Sequence, residues 1–461
     1  MKNTTSQSVW SFLLFPGIAM LLGWGLRGYI GGGPFGAMIP GAMVALAISM
    51  LLGYKAGFAS IVVVFGVVGV GLGGEMTYGQ TLGFLRKPDM VWWGILATTV
   101  KGAVWGIGGG ALLALGLLHQ RIPKKTILFS LIVLLVGLII GFKLINDPKL
   151  IYFSDPLNKP RSESWAGLLF GSLALIGYLK FKIQKEDFRI ILRFATWGLI
   201  SGGLGFGIGG LWFVLGTNLG PVMFTSWWKM MEFTFGLLLG MGLGLAAWKS
   251  KDELSISDEA EEQRSSQNPW KEIILILLIS LGVYLVFPAL MEPLAEYFSS
   301  KESWMLNAFG GFLRILVNYA FYGFVMVLIV LYKSELAWQI GITLTFCHTA
   351  IDWARDLKPT PETSLDPWIQ LIVVLLSTAL VAYFVAAYRR RKNINNSMMQ
   401  ILLWSTVTVA FISLLSDIFI EDKFQYSDFA SIIVKTLFVH FVFLSSAIYT
   451  SVVSRKVSIH E

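Results

Sequence analysis

Apolar runs of about 20 residues, separated by short polar or Pro/Gly-containing breaks, recur along nearly the whole chain. About 20 helical residues span the roughly 30 Å hydrocarbon core of a bilayer. The runs predict helices near 9–29, 34–54, 56–78, 91–118, 126–145, 164–182, 189–215 and 226–248. More follow near 270–291, 306–332, 336–353, 367–388, 398–420 and 429–452. With no strand-like alternation, and helices being the simplest way to satisfy backbone polar groups in lipid, the pattern predicts an all-α polytopic membrane protein of about fourteen transmembrane helices. The run at 9–29 has no small-residue cleavage pattern before Arg27, so it reads as a first span and not as a cleaved signal.

The first half carries an internal repeat. When Trp93 is set against Trp227, Gly102, Gly106, Gly108 and Gly110 coincide with Gly236, Gly240, Gly242 and Gly244 without a gap. One helix earlier, Gly66, Gly71, Leu72 and Gly73 match Gly198, Gly203, Leu204 and Gly205, and Gly41 matches Gly171. Units of four spans enter the membrane the same way, which predicts two parallel four-helix glycine-rich repeats. The expected organisation is a first repeat at 1–122, a second at 123–250, a cytoplasmic acidic linker at 251–269 and a C-terminal six-helix domain at 270–454. The linker contains the one extended hydrophilic stretch, SDEAEEQRSSQ.

Composition agrees with lipid as the solvent: 55% of the 461 residues are hydrophobic and only 14% are charged. The net charge of +8 does not indicate nucleic acid, because the basic residues lie in short inter-helix loops without a dense patch. They lie mainly on one set of alternate loops, with Lys55, Arg121, Lys124, Lys125, Lys249, Lys251, Arg389 and Arg455 among them. The positive-inside rule then places both termini in the cytoplasm of a plasma membrane, expected to be a bacterial inner membrane. One cysteine, Cys347, and four dispersed histidines give no disulfide framework and no metal-ligand spacing, so neither metal nor cofactor is expected.

Charged residues inside spans cost about 2.5–3.5 kcal/mol at the bilayer centre, and they mark sites or partners. This topology puts Arg27, Glu75, Lys143, Asp352 and Asp417 near outer ends, Glu232 and Lys435 a turn or two in, and Lys101, Arg314, His348 and His440 nearer the middle. Inner halves hold almost none, which predicts a polar cavity open outward. Lys101 is too deep to snorkel, and pairing with Glu75 or Glu232 is expected. In GWGLRGYIGGGPFG the free N–H groups of a helix starting at Pro34, beside Gly32, Gly33 and Arg27, suggest an anion site, although Gly-Gly-Gly-Pro is equally an ordinary tight turn. The glycine stripes mean tight helix packing, or, in GFGIGG at 205–210 and GLGGEMTYGQTLG at 71–83, broken helices that expose backbone.

The function expected is a secondary transporter for a small polar, anionic solute, coupled to a proton or sodium gradient. Its substrate-binding set would be Arg27, Gly32, Gly33, Glu75, Tyr78, Lys101, Glu232 and Arg314. The alternative is a membrane transferase or hydrolase acting on a lipid-linked or envelope substrate from the outer side. Its candidate residues are His348, Asp352 and Arg355, whose four-then-three spacing shares one helix face. No Ser/His/Asp order or Walker motif supports an enzyme or an ATP-driven pump. Membrane lipids are the other expected partner.

Overall fold

The computed structural model describes residues 8–27, 29, 33–155, 161–219, 226–255, 269–356, 365–419 and 426–458, with the backbone alone for 304, 308, 414–419 and 426–436. Every regular element among them is helical. The first half contains α1 (Val9–Arg27), α2 (Pro34–Leu51), α3 (Ala56–Gly73), a short α4 (Gly79–Phe84), α5 (Val91–Leu117), α6 (Lys124–Gly141), α7 (Trp165–Lys182), α8 (Lys185–Leu219) and α9 (Trp227–Ser250). The second half contains α10 (Pro269–Leu281), α11 (Phe287–Ser299), α12 (Trp304–Leu316), α13 (Tyr319–Tyr332), α14 (Leu344–Asp356), α15 (Pro367–Tyr388), α16 (Ile394–Phe419) and α17 (Tyr426–Ser458).

Eleven of the described helices are long and apolar enough to cross a membrane, or up to twelve if the bent α12–α13 pair is one span. The chain is thus a multi-pass helical membrane protein. α7, with Lys180 and Lys182 in its last turn, and α14, with His348, Asp352 and Arg355, are the less apolar elements of the fourteen-span reading.

Helices that are apolar all round sit at the centre. α2, α3 and α5 are each 89% buried across their most apolar window, whereas only 22% of the α10–α11 window is enclosed, leaving that helix to lipid. The glycine stripes set the central spacing. Added methyl groups at Gly102, Gly106 and Gly110 of α5 would strike the carbonyl oxygens of Gly202, Gly198 and Phe194 on α8. The matching stripe of α9, Gly236, Gly240 and Gly244, meets the carbonyls of Met20, Pro16 and Phe12 on α1. Such bare faces let backbones approach closely, as small residues do in membrane bundles.

Two expectations about breaks are corrected. GFGIGG at 205–210 runs through α8 without interruption, Gly205 and Gly209 packing against α9 at Phe235 and Met231 and Gly207 against Thr99 of α5. The span read at 306–332 is bent by 56° between α12 and α13, where Asn318 leaves the helix and caps α13 by accepting from the Ala320 N–H at 2.9 Å. The segment after α3 is non-helical at 74–78, as the glycines at 71–83 allow.

The bundle has two distinguishable ends. Tyr54, Leu254 and Asn395 share one: the Tyr54 hydroxyl donates to the Leu254 carbonyl at 3.0 Å and Asn395 donates to the Tyr54 carbonyl at 2.8 Å. Arg27, Gly33, Glu75 and Tyr319 share the other. These are the Tyr54 end and the Arg27 end below.

Candidate functional site

At the Arg27 end, α1 closes with its only cation. Arg27 is 2% exposed, donates to the Tyr78 hydroxyl and to the Gly33 carbonyl, and lies 5.7, 5.1 and 5.2 Å from the rings of Trp24, Tyr78 and Trp105. This aromatic frame suits a guanidinium, which is weakly hydrated and stacks on ring faces. Glu232, fully buried on α9, lies within electrostatic reach of Arg27 and accepts from Trp228 at 2.8 Å and from Lys229 at 3.1 Å. Lys229 also donates to the Gly25 carbonyl at 2.6 Å. Thus Arg27, Gly33, Tyr78 and Glu232 form one polar seam between α1, α9 and the segment after α3. Gly32 lies outside the described residues.

Lys101 belongs elsewhere. Its ammonium pairs with Glu163 at 3.0 Å and also donates to the Thr77 carbonyl at 2.6 Å and the Thr81 hydroxyl at 2.8 Å. Glu163 in turn accepts from the Phe153 N–H at 3.0 Å and the Ser154 hydroxyl at 2.8 Å. The expected pairing of Lys101 with Glu75 or Glu232 is therefore incorrect. Sequence gave no pointer to Glu163, which lies just before α7 in a polar stretch resembling solvated loop. The loop folds back to bury it.

Glu75 and Arg314 meet in a different place. A cavity of about 530 Å³ opens between the first turn of α2, the segment after α3, and α11, α12 and α13. Glu75, Glu292, Glu296, Arg314, Asn318, Phe35 and Tyr319 line it. Glu75 accepts from the Tyr319 N–H at 3.1 Å. In the segment connecting α3 to α4, the Glu75 carboxyl is raised by burial to about 7, against the lowering effect of hydrogen bonds from Tyr319 and Asn318. Arg314 was expected nearer mid-membrane; the bend after α12 instead leaves it exposed at this cavity.

Behind the cavity lie the residues with catalytic spacing. His348 Nε2 is 2.7 Å from Asp352, and Arg355 pairs with the other Asp352 oxygen at 2.8 Å. Phe35 stacks on the His348 ring at 4.7 Å and also borders the cavity.

The Tyr54 end holds a buried ion pair of its own. At the Tyr54 end, Glu272 of α10 pairs with Arg389 at 2.7 Å and accepts from Gln339 at 2.8 Å, all three being buried. Each residue stands at the edge of an apolar run and reads as an interface group. Only the packing of α10 against α15 shows them as mutual partners. Asp417 and Lys435 lie outside the described side chains. Among the described residues no group of three or more His, Cys, Asp or Glu could hold a metal ion.

Comparison with known proteins finds no protein family, no curated protein and no solved structure that matches this chain.

Proposed function

We propose that the protein is a secondary transporter for a small polar solute, bound in the cavity at the Arg27 end. The observation that carries this reading is the position of the cavity. One wall comes from α2 and the segment after α3, in the glycine-packed first half, and the other from α11, α12 and α13. A site between two helical bodies can change its access when one moves against the other, as in alternating-access carriers. The bent α12–α13 element and the π-helical turns at Gly282–Val286 and Gln339–Thr343 supply irregular backbone on the second side.

The lining argues for a different solute charge from the one expected. Arg27 is enclosed by aromatic rings and Lys101 by Glu163, so neither cation faces the cavity. Glu75, Glu292 and Glu296 against Arg314 favour a solute bearing an ammonium group, with Phe35 as an apolar and cation–π surface. The proposal includes fourteen spans, both termini in the cytoplasm and the cavity facing outward across a bacterial inner membrane. It also includes descent of the first eight spans from a parallel repeat, supported by the like contacts of the two aligned glycine stripes with neighbouring carbonyls.

The test is uptake into proteoliposomes with and without proton or sodium gradients. The panel comprises labelled choline and putrescine and, as anions, succinate and lactate. Uptake of an amine that is reduced in Glu75→Gln supports the reading. Uptake of the anions alone overturns the solute class, and no gradient-responsive uptake across a broad polar panel overturns transport.

A further inference from the structure

We propose that His348 with Asp352 is the proton-binding pair of the carrier and that Phe35 is the plug separating this pair from the cavity. The inference rests on the transport reading. Phe35 stands in the first turn of α2 and lines the cavity. Its ring stacks on His348 at 4.7 Å and 28° and touches Tyr319 edge-on at 5.3 Å, Tyr284 at 5.4 Å and Tyr322 at 6.2 Å. Tyr284 covers His348 on the same tilt, with ring centres 6.0 Å apart. One aromatic ring thus lies between an open polar cavity and an imidazole, 15% exposed, that sits against a buried carboxylate.

Among the described residues, the polar and ionisable groups around the imidazole come from four places. On its own helix are Asp352, Arg355 and Cys347. The π-helical turn after α10 presents Tyr284, and α13 presents Tyr319 and Tyr322 beyond Phe35. α15 presents the hydroxyls of Ser377 and Thr378 beside Cys347. Glu75 holds the cavity side through the Tyr319 N–H.

Nε2 lies 2.7 Å from an Asp352 carboxylate oxygen, close enough for the carboxylate to stabilise the imidazolium that forms when the ring takes up a proton. The imidazolium so formed sits against one Asp352 oxygen, while Arg355 pairs with the other. An imidazolium also attracts a ring face more strongly than neutral imidazole does. Protonation therefore holds Phe35 in place, and release of the proton loosens it. Proton binding and access to the solute cavity are coupled through one ring.

The experiment uses the full chain in lipid nanodiscs and in proteoliposomes. Hydrogen–deuterium exchange at the histidine ring C2 carbon, read by mass spectrometry, reports access to His348, with His119 as an internal reference. Phe35→Ala is expected to speed exchange at His348 by about fivefold or more and to leave His119 unchanged. Phe35→Leu, which keeps an apolar side chain, is expected to give a smaller acceleration. Unchanged His348 exchange in both folded variants overturns the plug. In proteoliposomes with choline or putrescine as probe, His348→Gln is expected to retain solute counterflow and lose acceleration by a proton gradient, and Asp352→Asn to do the same. Gradient-driven uptake equal to wild type in both overturns the coupling role while leaving transport intact. No counterflow by the wild type overturns the transport reading and the coupling with it.

Discussion

Lys101→Met tests whether the deepest cation of the first half is a binding group or a fastener. In the folded protein the ammonium has one carboxylate and two further acceptors, and both side chains of the pair are 1% exposed. Among the described residues, removing the cation leaves Glu163 buried with the Phe153 N–H and the Ser154 hydroxyl to satisfy it. Breaking one partner out of a buried pair costs about 3–5 kcal/mol, because the remaining charge has lost its counter-ion. Replacing both with uncharged groups of similar volume removes the stranded charge, and such exchanges are often close to neutral. Lys101→Met is therefore expected to lower the midpoint of detergent unfolding, followed by tryptophan fluorescence, by several degrees. The double variant Lys101→Met/Glu163→Gln should recover at least half of the loss. Glu163 also anchors the loop before α7, so Glu163→Gln alone should free that loop for proteolysis more than Lys101→Met does. Uptake per folded molecule should stay near wild type in the double variant. A Lys101→Met protein as stable as wild type, or a double variant no better than the single, would refute the assignment of Lys101 to a structural pair.

Gly106→Ala, whose added methyl would strike the Gly198 carbonyl, is expected to cost about 1–3 kcal/mol or more by overpacking. Gly177→Ala, with open space around it on α7, should gain up to about 1 kcal/mol from reduced backbone entropy; equal effects of the two on unfolding would contradict the close α5–α8 contact. Arg389→Met strands Glu272 and should destabilise by about 3–5 kcal/mol, checked against the double variant with Glu272→Gln. Because the Glu75 pKa rises from 4.5 to about 7 on folding, the folded state binds the extra proton between these values. Its contribution to stability therefore falls as pH rises from about 4.5 to about 7 and is flat above that. Glu75→Gln should remove this slope, and choline or putrescine binding in the wild type should strengthen as pH rises through about 7; a flat profile in both would disprove the cavity role of Glu75.

The sequence by itself determined that the chain is a helical, multi-pass membrane protein, and it located most helices within a few residues. Hydropathy is a local and nearly additive property, so a run of apolar residues long enough to span lipid announces itself without knowledge of its neighbours. The glycine stripes were legible for the same reason, since their spacing places them on one face whatever that face meets. Tertiary structure alone decided which charge meets which. Lys101 and Glu163 are 62 positions apart, and Glu75 meets Tyr319 across 244. A loop's fold-back, the bend after α12 and the placement of Phe35 over His348 set those meetings. Pair formation in a low-dielectric interior depends on distances of a few ångströms, and one-dimensional spacing fixes these only within a helix, as it did for His348, Asp352 and Arg355.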